Sequence, residues 1–249
     1  MKRLVAFDLD GTLADSKQAL DPAMAKLLAD LAANVAVAVI SGGDWPQFDK
    51  QIVARLPAHA DLANLFIMPT TGTKLYRCRD GQWQQVYADI FSPEERDRIV
   101  HALDDAVQQA GFADEQVWGD KIEDRGSQIT FSGLGQEAPI DAKKAWDPDF
   151  AKRKQMQKIV QAQLPGFAVN VGGSTSIDIT REGTDKASAM RALAEHSGIA
   201  TADMIFLGDA IYPGGNDYAV KAAGIDTITV RDPAETMTAI TAMLAFLRD

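Results

Sequence analysis

Short apolar runs that stop abruptly at polar residues set the strongest limit on how this chain can fold. "RLVAFDLD" and "NVAVAVISGG" lie near its start, and "ADMIFLGDA" and "GIDTITVRD" near its end. A near-continuous apolar run of this length suits a strand buried on both faces, as strands inside parallel sheets are. Parallel neighbours cannot be joined by a tight turn, so helices must alternate with them. Ser16 to Leu31 has helical periodicity, and Asp44-Trp45-Pro46 opens a second helix, with Asp44 as N-cap and Pro46 in the first turn. A helical pattern also follows each of the two late strands. The expected fold class is α/β, with a doubly wound, Rossmann-like parallel sheet.

The middle of the chain breaks that pattern. "LFIMPTTGTKLYRCRDGQWQQVY" reads as strands joined by turns, with Asp80-Gly81 as a hairpin signal. "SPEERDRIVHALDDAVQQAG" is a helix whose Ser92 and Glu95 have capping-box spacing. Beyond it come "GSQITFSGLG", a helix near "PDFAKRKQMQKIVQAQL", and the strand pair "FAVNVGG" and "SIDITRE". The reading is a core of residues 1–83 plus 185–249, interrupted by an inserted antiparallel α+β block over 84–184.

Several function classes drop out on composition. A formal charge of −10 argues against a nucleic-acid partner, which would call for a basic face, yet leaves room for a small anionic substrate held by local cations. No apolar run approaches a membrane span, and "MKRLVAFDLDGT" meets acid too early for a signal peptide, so the expected location is the cytoplasm. Cys78 is the single cysteine, cannot form an internal disulfide and reads as a structural thiol. His59, His101 and His196 fall on separate helical segments without metal-ligand spacing. A homodimer is compatible with the sequence.

What needs explaining is the pair Asp8 and Asp10. Two carboxylates two residues apart at a strand end raise the cost of ionising each other, and a divalent cation or a shared proton must compensate. Four stretches with such chemistry sit where α/β proteins bind ligands: "DLDGT", "ISGG", "GTDKASAM" and "FLGDAIYPGGND". Singly each has a plain reading: a turn at Asp10-Gly11, a loop at Ser41, a solvated charge at Lys186, caps at Asp209 and Asp217. Jointly a carboxylate, a hydroxyl, a lysine and a carboxylate arrive in order at four strand ends.

In type and order these stretches resemble the motifs of the haloacid dehalogenase superfamily of phosphotransferases, and the insert resembles its type IIB cap. "GDAIYPGGNDYAV" and "VGGSTSIDITREGTDK" look most like eukaryotic-type phosphomannomutases. The resemblance implies an enzyme that forms an aspartyl-phosphate on Asp8, with Asp10 as general acid and base. It implies Mg2+ between Asp8, the backbone carbonyl of Asp10 and Asp209, with Asn216 and Asp217 orienting or completing the shell. Thr12, Ser41 and the N–H groups of Gly42 and Gly43 would bind phosphoryl oxygens, and Lys186 would neutralise transferring charge. In the cap, Arg125, Ser176 and Asp178 line up with sugar-phosphate contacts. Gln136 stands where a second arginine is expected, with Lys143, Lys144 and Lys152 as nearby cations.

The expected substrate is a small phosphorylated metabolite, a hexose phosphate. Hydrolysis is the first expectation. A phosphomannomutase-like transfer between sugar positions uses the same intermediate and stays open. A receiver-like or non-catalytic phosphate-binding module stands further off.

Overall fold

The computed structural model describes residues 2–113, 115–172 and 174–247. In chain order its elements begin with β1 (Leu4–Phe7), α1 (Pro22–Ala32), β2 (Ala36–Ile40), α2 (Trp45–Gln51), β3 (Leu65–Met68), β4 (Lys74–Arg79) and β5 (Gln82–Ala88). The middle holds α3 (Pro93–Ala110), β6 (Ile122–Asp124), β7 (Ile129–Ser132), α4 (Ile140–Trp146), α5 (Ala151–Gln163), β8 (Phe167–Gly172) and β9 (Ser176–Arg181). The chain closes with α6 (Lys186–Ser197), β10 (Met204–Gly208), α7 (Tyr218–Ala222), β11 (Asp226–Thr229) and α8 (Pro233–Leu247). Two compact units result, Met1–Ala88 with Asp185–Asp249, and Asp89–Thr184.

The larger unit carries a seven-stranded sheet in the order β11-β10-β1-β2-β3-β4-β5. The first five strands are parallel, and β4 pairs antiparallel with both β3 and β5. Alternation along β1 explains its unbroken apolar sequence. Val5 and Phe7 join Leu28 of α1 and Ile240 of α8 in one core, while Leu4 and Ala6 join Met190 and Leu193 of α6 in another. A polar residue at any of these four positions would meet a core whichever way it faced. β1 runs between β2 and β10, so the crossovers diverge there and leave a crevice at the carboxyl ends of β1 and β10.

Some boundaries differ from the sequence reading. α1 starts at Pro22, not Ser16, because Asp21 takes extended backbone and its side chain accepts the Ala23 N–H, with proline in the first turn. Asp80 and Gly81, at φ 52° and 75°, close the β4–β5 hairpin. β5 therefore stays on the large sheet, and the chain leaves this unit at Ala88, beyond the edge expected near 83. His59 lies in a turn, not on a helix. Cys78 is a buried free thiol.

The smaller unit is a four-stranded antiparallel sheet, β6-β7-β9-β8, backed by α3 and α5. Leu103 of α3 and Val160 of α5 share a core with Phe131, Ile177 and Ile179. The Ser92–Glu95 capping box starts α3, and Gly111 in a left-handed conformation ends it. Asp147 and Arg153 form a buried pair at the start of α5, Oδ2 to Nε at 2.7 Å, and Arg153 also donates to the Gly172 carbonyl at 3.1 Å. Among the described residues no helix is long and apolar enough to cross a membrane.

Candidate active site

Asp8 follows β1 directly and continues the alternation that points Leu4 and Ala6 toward α6. There it meets Lys186, the first residue of α6, whose helix starts from an Asp185–Ser188 capping box. Lys186 Nζ donates to Asp8 Oδ1 at 2.5 Å and also to Asp217 Oδ1. Asp217 is fully buried, and its Oδ2 accepts the Ala210 N–H at 3.1 Å. Asp209 follows β10. Ligand oxygens of Asp8, Asp209 and Asp217 lie within 4.8 Å of one another. Two glycines make the approach possible. A Cβ on Gly11, at φ +85°, would come 2.6 Å from Asp209 Oδ2, and one on Gly208 would come 2.2 Å from Asp217 Oδ2.

Three carboxylates face one lysine here, which pairs with the two buried ones, so the cluster holds excess negative charge that water only partly reaches, at half-buried Asp209. Burial pushes the Asp8 carboxyl up to about 6, against the pull of Lys186 and with the push of Asp217. Burial and the Asp217 anion also raise Asp209. For Lys186 burial favours the neutral amine, but Asp8 and Asp217 outweigh it and hold the ammonium above its usual range. A set of hard oxygen donors with uncompensated charge fits a divalent cation such as Mg2+ or Ca2+.

Asp10 does not join this cluster. The chain turns after Asp8, and the Asp10 side chain accepts the Lys17 N–H at 2.7 Å and Gln47 Nε2 of α2 at 3.4 Å. The two carboxylates of the opening motif thus separate toward α6 and α2. Thr12 is fully buried beside Asp209, and its hydroxyl is not aligned for a regular hydrogen bond with any described group. Ser41 follows β2 and is buried, as is Gly43, with Gly42 half-buried between them. Asn216 is exposed on the loop before Asp217.

The smaller unit gathers its own polar set. Asp178 on β9 accepts Thr130 Oγ1 at 2.7 Å and Gln128 Nε2 at 3.2 Å. Burial raises its carboxyl, opposed by Thr130 and the nearby Arg125. Arg125 pairs with Glu123 at 2.8 Å, and Ser176 begins β9. Among the lysines that follow Gln136 in the chain, Lys143 reaches its carbonyl at 2.8 Å, whereas Lys152 pairs with Glu115. Gln47, Gln128 and Thr130 escaped the sequence reading. An uncharged polar residue carries no signal of its own until its neighbours in space are known.

An α+β insertion in a doubly wound sheet, with carboxylates at the switch point, is the arrangement of the haloacid dehalogenase-like class. The sequence model of the haloacid dehalogenase-like hydrolases matches residues 5–220, and the chain belongs to that family. It is similar to a phosphomannomutase of Encephalitozoon cuniculi, 24% identical over 248 residues, 94% of this chain and 91% of that one. A phosphomannomutase of Schizosaccharomyces pombe is 26% identical over 231 residues, 88% of this chain and 85% of its own. In fold the chain matches a haloacid dehalogenase-like hydrolase from Bacteroides thetaiotaomicron with a TM-score of 0.66 at 15% identity, covering 98% of this chain and 100% of that one.

Proposed function

We propose that the protein transfers a phosphoryl group of a hexose phosphate through an aspartyl-phosphate on Asp8, with Mg2+ as cofactor. The observation that carries this reading is the cluster of buried Asp8 and Asp217 with half-buried Asp209, crossed by Lys186. Asp8, Asp209 and Asp217, with the backbone carbonyl of Asp10, would hold Mg2+, and Asn216 would complete its surroundings. When bound, the cation supplies charge neutralisation for the transferring phosphoryl group.

An Asp8 carboxylate oxygen bonds to phosphorus as the bond from phosphorus to the sugar oxygen breaks. Asp10, lodged apart from the anionic cluster, gives its proton to the leaving sugar oxygen. A second oxygen nucleophile then attacks the acyl phosphate, Asp10 takes its proton, and Asp8 is released. Thr12, Ser41 and the Gly42 and Gly43 N–H groups bind the phosphoryl oxygens, while Lys186 offsets the charge that builds on them. Arg125, Ser176 and Asp178 grip the sugar phosphate's non-reacting parts.

The acceptor oxygen decides between two readings. Similarity to phosphomannomutases over most of both chains supports a sugar hydroxyl, and so does Lys143 at the Gln136 carbonyl, which supplies a cation where a second arginine was expected. Water is the second reading, favoured by the uncharged Gln136 itself. Mannose 1-phosphate supplied with Mg2+ and a hexose bisphosphate separates them. Mannose 6-phosphate with little free phosphate is expected. Phosphate release outrunning isomerisation would establish the hydrolase instead, and inertness toward every hexose phosphate would overturn the substrate class.

A further inference from the structure

The connection from β3 to β4 grips the Ser41–Asp44 loop residue by residue. The Ser41 N–H donates to the Met68 carbonyl at 3.3 Å, the Thr71 N–H to the Ser41 carbonyl at 2.9 Å, and the Thr70 N–H to the Gly43 carbonyl at 2.8 Å. Thr70 and Thr71 sit at φ 50° and 58° to make these bonds. β-branched residues hold that left-handed conformation only where the surroundings impose it. The last link is Lys74, the first residue of β4, with a side chain only 8% exposed. Its Nζ donates to both carboxylate oxygens of Asp44, at 2.7 and 2.9 Å. Asp44 in turn starts α2, Oδ1 accepting the Trp45 N–H at 2.7 Å.

A buried lysine is an expensive way to fill a strand position, since an apolar side chain packs there without desolvating a charge. What the ammonium adds is direction. It fixes Asp44 at the junction between the loop and α2, and α2 carries Gln47, the side-chain donor to Asp10. Gly43 is packed so closely on this turn that a Cβ there would come 2.1 Å from Gln47 Oε1.

We infer that Lys74 is a positioning residue for phosphoryl transfer, acting through Asp44 to hold the Ser41–Gly43 loop and the first turn of α2 in register with the transferring group. The inference rests on the reading that Ser41, Gly42 and Gly43 bind that group. Lys74 touches no reacting atom. Its removal loosens the loop while leaving the carboxylate cluster, which stands at the ends of β1 and β10 and the start of α7, as it is.

The test compares Lys74→Met, Asp44→Asn, their double variant and Ser41→Ala in the full chain with Mg2+. Binding of inorganic phosphate is measured by calorimetry, and amide hydrogen exchange is followed peptide by peptide. Lys74→Met should weaken phosphate binding roughly tenfold, the scale of a small misplacement of the binding groups. It should speed exchange over residues 41–48 and leave α1 and the smaller unit unchanged. Asp44→Asn keeps an oxygen to cap α2, should shift both readouts the same way, and carries the test alone if Lys74→Met does not fold. The double variant should be no worse than the poorer single, as for two residues acting as one link. Unchanged phosphate affinity and exchange in Lys74→Met and Asp44→Asn, with Ser41→Ala weakened, overturns the inference and leaves the phosphoryl-loop reading standing. Unchanged affinity in Ser41→Ala overturns that reading, and the inference with it.

Discussion

At the scale of single residues, charge decides the behaviour of the site. Asp8→Asn keeps the side chain's shape but cannot attack phosphorus, so turnover should fall roughly a thousandfold or more in a folded protein. Initial rates beside a circular dichroism spectrum check this, and near-native rates would remove Asp8 as nucleophile. Lys186→Met leaves Asp8 and Asp217 buried without their shared cation. In the absence of divalent cations it should lose about 3 kcal/mol of stability in urea titration, and Mg2+ should recover part of that. Equal stability with and without the lysine would mean the cluster is solvated. The members of this cluster stood out in the sequence because their types are chemically loud and they follow a strand, as Asp8 and Asp209 do, or open a helix, as Lys186 and Asp217 do. Gln47 and Lys74 did not. Whether a glutamine on α2 meets Asp10 depends on the rotation of the helix, and whether Lys74 is buried depends on what lies across from β4.

Elements were legible where they carried their own stop and start signals. The Ser92–Glu95 box and the Asp80-Gly81 turn fix α3 and the β4–β5 hairpin within a few residues of chain. α4 was missed because seven residues with only Trp146 buried carry too little pattern, and its N-cap is a proline without a side-chain bond. What anchors the neighbouring α5 is the Asp147–Arg153 pair. Arg153 and two backbone N–H groups outweigh burial and hold the Asp147 carboxyl below the usual range. A carboxyl depressed on folding stabilises fully above its unfolded value, about 3.9, and that contribution disappears as pH falls through the lower folded value. Asp147→Asn should therefore cost stability at pH 7 and flatten the decline of stability with acid below about pH 4. Thermal melts from pH 2 to 7 measure it. An unchanged acid slope would show that Asp147 carries none of it.

For the molecule as a whole, the insertion was visible as a change in the rhythm of the sequence, but its outgoing edge was not. A strand that extends an existing sheet looks the same as one that founds a new sheet, and only pairing tells them apart. The smaller unit is continuous in the chain and closes its own core around Phe131, Ile177 and Ile179. Residues 89–184 produced alone should give a cooperative thermal transition, and a featureless melt would show that they depend on the rest. Divalent cations should act on the larger unit. If the acidic cluster binds Mg2+ only when folded, a hundredfold excess over the dissociation constant adds about 2.7 kcal/mol and raises the melting midpoint. No rise on adding Mg2+ to metal-free protein would argue against the site.

The position of β1 has a consequence during synthesis. Leu4 lies opposite Ala36 on one side and Met204 on the other. The first partner leaves the ribosome soon after β1, but the second is translated two hundred residues later, roughly 10–40 s at ordinary elongation rates. Through that interval the nascent sheet has an open, apolar edge at its future centre, the kind of edge that invites wrong pairing or a chaperone. All four strands of the intervening unit are translated within that interval, before β10. Asp8 is made among the first residues, but the chain has Asp209 and Asp217 to place beside it only once most of its length has been translated.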